Sequence, residues 1–486
     1  MDVKRTGIVV RPNNSRVVFR PFELTSEDRV LKIIARIMAL SEAAVEALLD
    51  EVMLQFKGRH QRIRDFFLLR FHQVKQFLLT DLDVSVNRQI LIGSYFTHEY
   101  ALESAALFNP SMIWHPDQSG LAEGSRRFIL SLRATGEGHI SSITFRSGVV
   151  DANNNIRIDE PTRYVTAPEA VPDARYDKAL FRHKLFELGL ANRFTDRVLE
   201  KLTDQFTLDQ LDEQLQLFKR QHQHQAEQLE HKPTIQGMLA LAKSNYEIQY
   251  TPEHHLSERI VFPSSPTERN AIEDARFVQF HDDDGSTHYY ATYTAYDGKV
   301  ILPQLLQTND FLNFKLSTLN GPEVRNKGFA LFPRKINGHY AMLSRQDNEN
   351  IFLMYSDQIH FWYTKELVMK PTYPWEYVQL GNCGSPIETE AGWLVLSHGV
   401  GPMRKYSIGA FLLDLANPTK VVGRLAQPLL EPNDNEREGY VPNVVYSCGA
   451  VLHGGELIIP YAMADYASTF ATVAVQEVLG QMKMTR

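Results

Sequence analysis

Five short segments of this chain share one design: an apolar strand running into polar or charged residues, then a turn. They cover residues 128–134, 289–297, 340–347, 393–399 and 457–465. The last four recur roughly every 50 to 65 residues. Each follows a turn pair: Asp284-Gly285, Asn337-Gly338, Ala391-Gly392 or Gly454-Gly455. A lone strand cannot bury its apolar face. A period of this size therefore implies four-stranded units stacked side by side, and five copies predict a five-bladed β-propeller. A sandwich would explain the strands but not the period. The expected fold class is mostly β: a five-bladed propeller with an N-terminal helical region and a helical insertion packed on it.

Two stretches break the period. After Thr25-Ser26-Glu27-Asp28, which reads as a capping box, Val30, Ile33, Ile34, Ile37 and Met38 fall at helical spacing. A second helix is expected from Ser41 to near Gly58, and a third over 63–79. Arg59 and His60 read as cations near helix-terminal carbonyls. The gap between the first two strand copies is too long for one blade. Helical spacing over 173–190 and 192–229 (Leu199, Leu202, Phe206, Leu211, Leu215, Phe218) marks an insertion there. Its tract Gln221-His222-Gln223-His224-Gln225 lacks a cysteine and reads as a solvated helix face, not a metal site. Residues 1–24 carry Arg11, Arg16 and Arg20 around Val17-Val18-Phe19. They read as an extended arm packed on another element, with cations solvated or paired with acids.

The expected division is an arm (1–24), a helical extension (25–105), a first blade (106–170), an insertion (171–250) and the remaining blades (251–486). The helical regions are expected to pack together on one side of the propeller. Two roles stay open for them: a lid over the pocket, or a homo-oligomer contact.

Composition narrows the function classes. Of 486 residues 43% are hydrophobic and 22% charged, as in ordinary soluble proteins. A net charge of −7 argues against a general nucleic-acid binder, which needs a basic face. Cys383 and Cys448 cannot form a disulfide framework and suit a reducing cytoplasm. The N-terminus has no apolar signal region, and no run of about 18 apolar residues occurs. The expectation is a soluble cytoplasmic protein without membrane partner.

In a propeller the equivalent strand ends converge on one axial pocket. The five copies would then bring Arg133, Asp297, Arg345, His398 and Asp465 together. The stretch 270–278 adds Glu273, Asp274 and Arg276 at the start of the second blade. An Asp and an Arg two apart are, taken alone, more often a turn cap or surface pair. In phase with four other strand ends they suit a polar pocket. Acids match sugar hydroxyls and glycosidic oxygens; Arg, His and Tyr match a phosphate.

These residues resemble glycoside hydrolase family 130, the inverting β-mannoside phosphorylases and related mannosidases. The resemblance covers roughly 107–150 and 260–470. It rests on Phe108-Asn109-Pro110, Glu273-Asp274-x-Arg276, Phe332-Pro333-Arg334-Lys335-Ile336, the 340–345 strand, Pro386-Ile387-Glu388 through Trp393 with Ser397-His398-Gly399, and 439–446. The helical regions look like the long-form branch of that family.

The resemblance implies a five-bladed propeller that cleaves β-mannosides with inorganic phosphate, giving α-mannose 1-phosphate, with no metal and no organic cofactor. It implies that Asp274 is the general acid, passing its proton to the glycosidic oxygen by way of a sugar hydroxyl. It places Asn109, Arg133 and Asp465 on the mannosyl unit, with Glu273 and Arg276 beside them. It places Arg345, His398 and Tyr406 on the phosphate, with Lys327 as a further cation. Arg404, in the same 401–406 turn as Tyr406, is added here on position alone. Phosphate is already a nucleophile at neutral pH, so one carboxylate suffices. Two departures stand out. Ala275 replaces the motif's usual proline, and Gln379 replaces a lysine before the His-Gly pair, which leaves linkage and acceptor open. Two other readings also stay open: a hydrolase of the same substrates, and a non-catalytic sugar-binding propeller.

Overall fold

A computed structural model describes residues 1–80, 82–171, 174–221 and 225–484, so His222, Gln223 and His224 of the polar tract lie outside the described residues. The chain is mostly β. Its strands form five antiparallel units. The first holds Ala106–Trp114, Arg126–Thr135 and Ser141–Val150. The second holds Ala271–His281, Thr287–Tyr296, Ile301–Thr308 and Asn313–Thr318. The third holds Lys327–Leu331, Tyr340–Arg345, Ile351–Ser356 and Glu366–Met369. The fourth holds Gln379–Asn382, Gly392–Val400, Tyr406–Leu413 and Val421–Arg424. The fifth holds Val445–Tyr446, Glu456–Met463, Ala467–Ala474 and Lys4–Val10. Each of the five repeated sequence segments is the second strand of its unit.

Period-2 alternation explains how the units stack. In Arg126–Thr135, Ile129 joins Phe277 and Ala291 of the second unit, while Phe128 and Leu130 join Ile458 and Phe470 of the fifth. Met342 and Met354 face Val278 and Leu305; Leu343 and Leu353 face Trp393 and Val395. Leu394 and Leu396 face Leu457 and Ile459. Apolar clusters thus lie between every pair of successive units, and the fifth shares one with the first. Each fully buried Leu, Ile or Phe in these seams contributes about 1.5–3 kcal/mol.

The N-terminal arm is two strands. Lys4–Val10 pairs antiparallel with Ala467–Ala474, and Val17–Pro21 pairs with Thr97–Ala101. Between them Arg16 is fully buried. Its Nε donates to Glu103 Oε1 at 2.9 Å, and Arg146 Nη2 donates to the same oxygen at 2.7 Å. The pairing with acids expected of the arm's cations holds here.

Four helices follow: α1 (Glu27–Met38), α2 (Glu42–Phe56), α3 (Ile63–Val74) and α4 (Val86–Tyr95). The Thr25–Asp28 capping box does not form. Ser26 is the N-cap without a side-chain cap bond, and Glu27 and Asp28 sit in the first turn instead. The third helix stops at Val74 in a 3₁₀ turn, and α4, unforeseen, starts on the Ser85 cap. Arg59 and His60 do not cap carbonyls; both bind Glu99, at 2.8 and 2.7 Å.

The insertion is α5 (Lys178–Glu187), α6 (Arg193–Glu200), α7 (Leu208–Gln221) and α8 (Gln225–Lys243). The long run expected after Asn192 breaks because Gln205–Thr207 forms a strand with Arg175–Asp177. Thr207 and Gln210 then exchange side-chain-to-backbone bonds to restart the helix. The two helical regions bury separate apolar cores rather than a common one.

Candidate active site

The site is built on a β-bulge that occurs three times. Pairing slips between Phe108 and Ser111, between Glu273 and Arg276, and between Lys327 and Ala330, each in the first strand of its unit. The bulged residues are Asn109, Asp274 and Gly328, with φ of 49°, 53° and 93°. Asn and Asp tolerate this left-handed region because their short side chains hydrogen-bond locally, and Gly carries no penalty there. A bulge redirects a side chain out of the ladder and into a cleft.

Asn109 Nδ2 donates to Asp274 Oδ1 at 2.7 Å. Arg133 donates to the same oxygen at 3.3 Å and to Glu273 Oε1 at 2.9 Å, while its Nε donates to Ser141 Oγ. Lys327 Nζ lies 3.6 Å from Glu273 Oε2. Ser111 Oγ accepts from the Phe277 amide at 3.1 Å and ties the first bulge to the second. Asp465, also left-handed at φ 50°, lies within electrostatic range of Asp274 and Arg133.

The two aspartates are driven apart. Burial alone would raise Asp274, but Arg133, Lys327, the Asn109 amide and Arg276 outweigh it and hold the carboxyl below its ordinary range. Burial and the neighbouring Asp274 push Asp465 up to about 6, against the pull of Arg133 and Arg404.

Behind Asp274 stands a cluster of buried cations. Arg276 and Arg345 are 3% and 4% exposed. Arg276 donates to the Tyr446 hydroxyl, and Arg345 Nη1 donates to His398 Nε2 at 3.1 Å. Arg276 Nη1 and Arg345 Nε are buried without an oxygen acceptor. Arg276, Arg345 and Tyr446, with Asp274, Lys327 and Thr292, line a cavity of about 10 Å³. His398 is held well below its ordinary value by burial and by Arg345 and Arg276, and is a neutral imidazole at pH 7. A charged histidine is therefore not part of the resting cluster.

Nine of the twelve residues singled out from the sequence meet here: Asn109, Arg133, Glu273, Asp274, Arg276, Lys327, Arg345, His398 and Asp465. Tyr406 stacks on His398 at 6.0 Å as the outer wall. Arg404 is exposed on the rim, its guanidinium 5.8 Å from the Tyr406 ring. Asp297 does not reach the site. It sits past the end of its strand, where Oδ1 accepts the Lys299 and Val300 amides. The bulge register explains the miss. Arg133 pairs with Phe108 and Arg345 with Lys327, so the residue matching them in the second unit is Thr294, paired with Glu273.

Sequence reasoning gave no role to Tyr446, Ser141, Ser111 or Gly381. Tyr446 lay within a recognised motif, but nothing local marks Gly381. A Cβ there would lie 2.5 Å from His398 Cε1 and 3.1 Å from Arg345 Cδ.

The family described as beta-1,4-mannooligosaccharide phosphorylase matches residues 207–484, more than half of the chain. A 1,2-beta-oligomannan phosphorylase of Thermoanaerobacter is 34% identical over 231 residues, 46% of this chain and 75% of that protein. A beta-1,2-mannobiose phosphorylase of Listeria innocua is 33% identical over 242 residues, 48% of this chain and 66% of that protein. A beta-1,4-mannooligosaccharide phosphorylase of Ruminococcus albus is 35% identical over 170 residues, 32% and 51% of the two chains. Asn109 and Arg133 lie before the matched segment, yet both bond to Asp274 inside it. With its Glu-Asp-x-Arg bulge and the length of this match, the chain belongs to glycoside hydrolase family 130.

Proposed function

We propose that this protein is an inverting phosphorylase of β-mannosides, releasing α-mannose 1-phosphate and a shortened sugar in a reversible reaction. One observation carries the reading. Asp274 shares one cavity with three cations, Arg276, Arg345 and Lys327. A hydrolase needs a second carboxylate to activate water; a cationic nest instead suits a phosphate nucleophile.

The chemistry follows from the charges. Asp274 is ionised in the resting site, so a general acid must first gain a proton. A phosphate dianion entering beside Arg276, Arg345 and Lys327 offsets the cations that depress the Asp274 pKa. Binding of the nucleophile thereby loads the acid. Asn109, Arg133, Glu273 and Asp465 supply the polar wall for the mannosyl hydroxyls. Once protonated, Asp274 gives its proton toward the glycosidic oxygen as phosphate attacks the anomeric carbon from the opposite face. Inorganic phosphate is co-substrate, and no cofactor has a role.

We read the five units as blades of a propeller. The ring of apolar seams supports this, as does the strand Lys4–Val10 completing the last unit. The helical extension and the insertion are separate additions to it, at 25–105 and 171–250. No helix among the described residues is long and apolar enough to cross a membrane; a cytoplasmic setting, where phosphate and sugar phosphates are at hand, is part of the proposal. Relatives acting on both 1,2- and 1,4-linked substrates match the chain, so linkage is a question for assay.

The test is a panel of β-1,2- and β-1,4-mannobioses and their oligomers, with and without inorganic phosphate, read for mannose 1-phosphate and free mannose. Phosphate-dependent mannose 1-phosphate is expected. Free mannose at an equal rate without phosphate would mean a hydrolase. No product from any substrate, with sugar still bound, would mean a binding protein.

A further inference from the structure

The cleft at the cation cluster has room for about one water (about 10 Å³) and opens to solvent, so an oxyanion entering it competes for the groups that line it. Arg276 is held by Tyr446, and Lys327 lies beside Glu273. Arg345 is held by one bond, from Nη1 to His398 Nε2, and its partner, unlike the Tyr446 phenol that holds Arg276, can take up a proton once that bond breaks.

That bond reveals the protonation state. A guanidinium can only donate, so Nε2 carries a lone pair and the ring proton sits on Nδ1. Gln379 Nε2 approaches the same nitrogen at 3.4 Å. The ring itself cannot swing away. The Gly381 backbone lies against Cε1, Tyr446 packs edge-on at 4.9 Å, and Tyr406 lies parallel at 6.0 Å.

We infer that a tetrahedral oxyanion entering this cluster pulls Arg345 off His398, and that His398 then takes up a proton at Nε2 and becomes a further donor to the anion. This rests on the phosphate reading above and adds a proton linkage to it. The proton comes from solvent when the anion is sulfate. It comes from solvent or from the anion itself when the anion is phosphate. Two negative charges replace the unopposed repulsion of Arg345 and Arg276 that keeps the ring neutral. Gln379 matters to this device: a neutral amide there leaves the imidazole as the group that changes charge. The charged or titratable groups around the ring are Arg345 and Lys327 on the third unit, Arg276 on the second, Tyr406 on the fourth and Tyr446 on the fifth. Gln379 and the Asn382 backbone complete its surroundings.

Sulfate is the right probe because it does not titrate near neutrality. Its affinity for the full-length protein, measured by calorimetry between pH 5.5 and 8 in buffers of different ionisation enthalpy, should fall by up to tenfold per pH unit as pH rises, with close to one proton taken up per anion. Asp465 and Asp274 both face the same anion, so the Asp465→Asn and Asp274→Asn variants are the controls, and the slope due to His398 must survive in both. His398→Gln, which keeps a donor but cannot titrate, must lose it. Sulfate binding with no proton uptake in the wild type would overturn the inference and leave the anion site standing. A slope lost in either control and kept in His398→Gln would also overturn it. Failure of both sulfate and phosphate to bind at any pH would overturn the anion site itself.

Discussion

Asn109 Nδ2 donates to Asp274 Oδ1 at 2.7 Å, and the two residues occupy the same bulged position in successive units, both at positive φ. One repeat of the fold thus orients the acid of the next. Asp274→Asn keeps the bulge, because Asn is as tolerant of φ 53° as Asp. It should lose about 10²- to 10⁴-fold in kcat with thermal stability essentially unchanged. Asp274→Ala should lose activity as well and add roughly 1–2 kcal/mol of backbone strain. Comparing melting curves of the two variants separates chemistry from strain; equal destabilisation by both would contradict the bulge argument.

Arg345 is expected to serve the phosphate rather than the sugar. Arg345→Lys keeps the charge but loses the planar fork. Its KM for phosphate should rise by about tenfold or more, with a far smaller change in KM for the mannoside. Parallel titration of each substrate is the check, and an equal rise in both would place Arg345 elsewhere.

Gly381 has no side chain because His398 and Arg345 occupy that space. Gly381→Ala should displace the ring, weaken phosphate binding and leave fold stability within about 1–3 kcal/mol of wild type, the usual range for overpacking. Unchanged phosphate KM would show that the ring has room to shift.

Asp465 titrates near 6, above the ordinary 3.8, because its charged form is buried beside Asp274. The sign follows. Stability from this group is fully present below pH about 4 and is lost as pH rises through 6. Asp465→Asn should therefore stabilise the protein at pH 7 by up to about 3 kcal/mol, with little effect at pH 4, while activity falls. Melting temperatures of both proteins from pH 4 to 8 test this; a pH-independent difference would mean that the carboxyl is not buried as a charge.

Glu103 neutralises Arg16 and Arg146 at full burial. Burial and neighbouring Arg146 lower the Arg16 pKa to about 10, against the pull of Glu103. Glu103→Ala leaves two buried cations without a counter-charge and should cost about 3–5 kcal/mol in denaturant unfolding. A loss under 1 kcal/mol would mean that water reaches the pair.

What the sequence alone determined was local. Alternation along 128–134, 289–297, 340–347, 393–399 and 457–465 marks which faces must be buried, and five such strands have few ways to bury them. The Glu273-Asp274-x-Arg276 spacing, Arg345 and His398 were legible for the same reason: each is a polar residue at the end or bulge of a strand that is otherwise apolar. What tertiary structure decided was register and charge. Pairing across the bulge sends Thr294 toward the site and leaves Asp297 in a turn, a three-residue difference that strand periodicity cannot see. The strand Lys4–Val10 completes a sheet with Ala467–Ala474, more than 450 residues away in the chain. His398 looks like a cation in the sequence. It is neutral in the fold because Arg276 and Arg345, 122 and 53 residues distant, are buried beside it. Hydrophobic pattern is a property of neighbours along the chain; register and protonation are properties of neighbours in space.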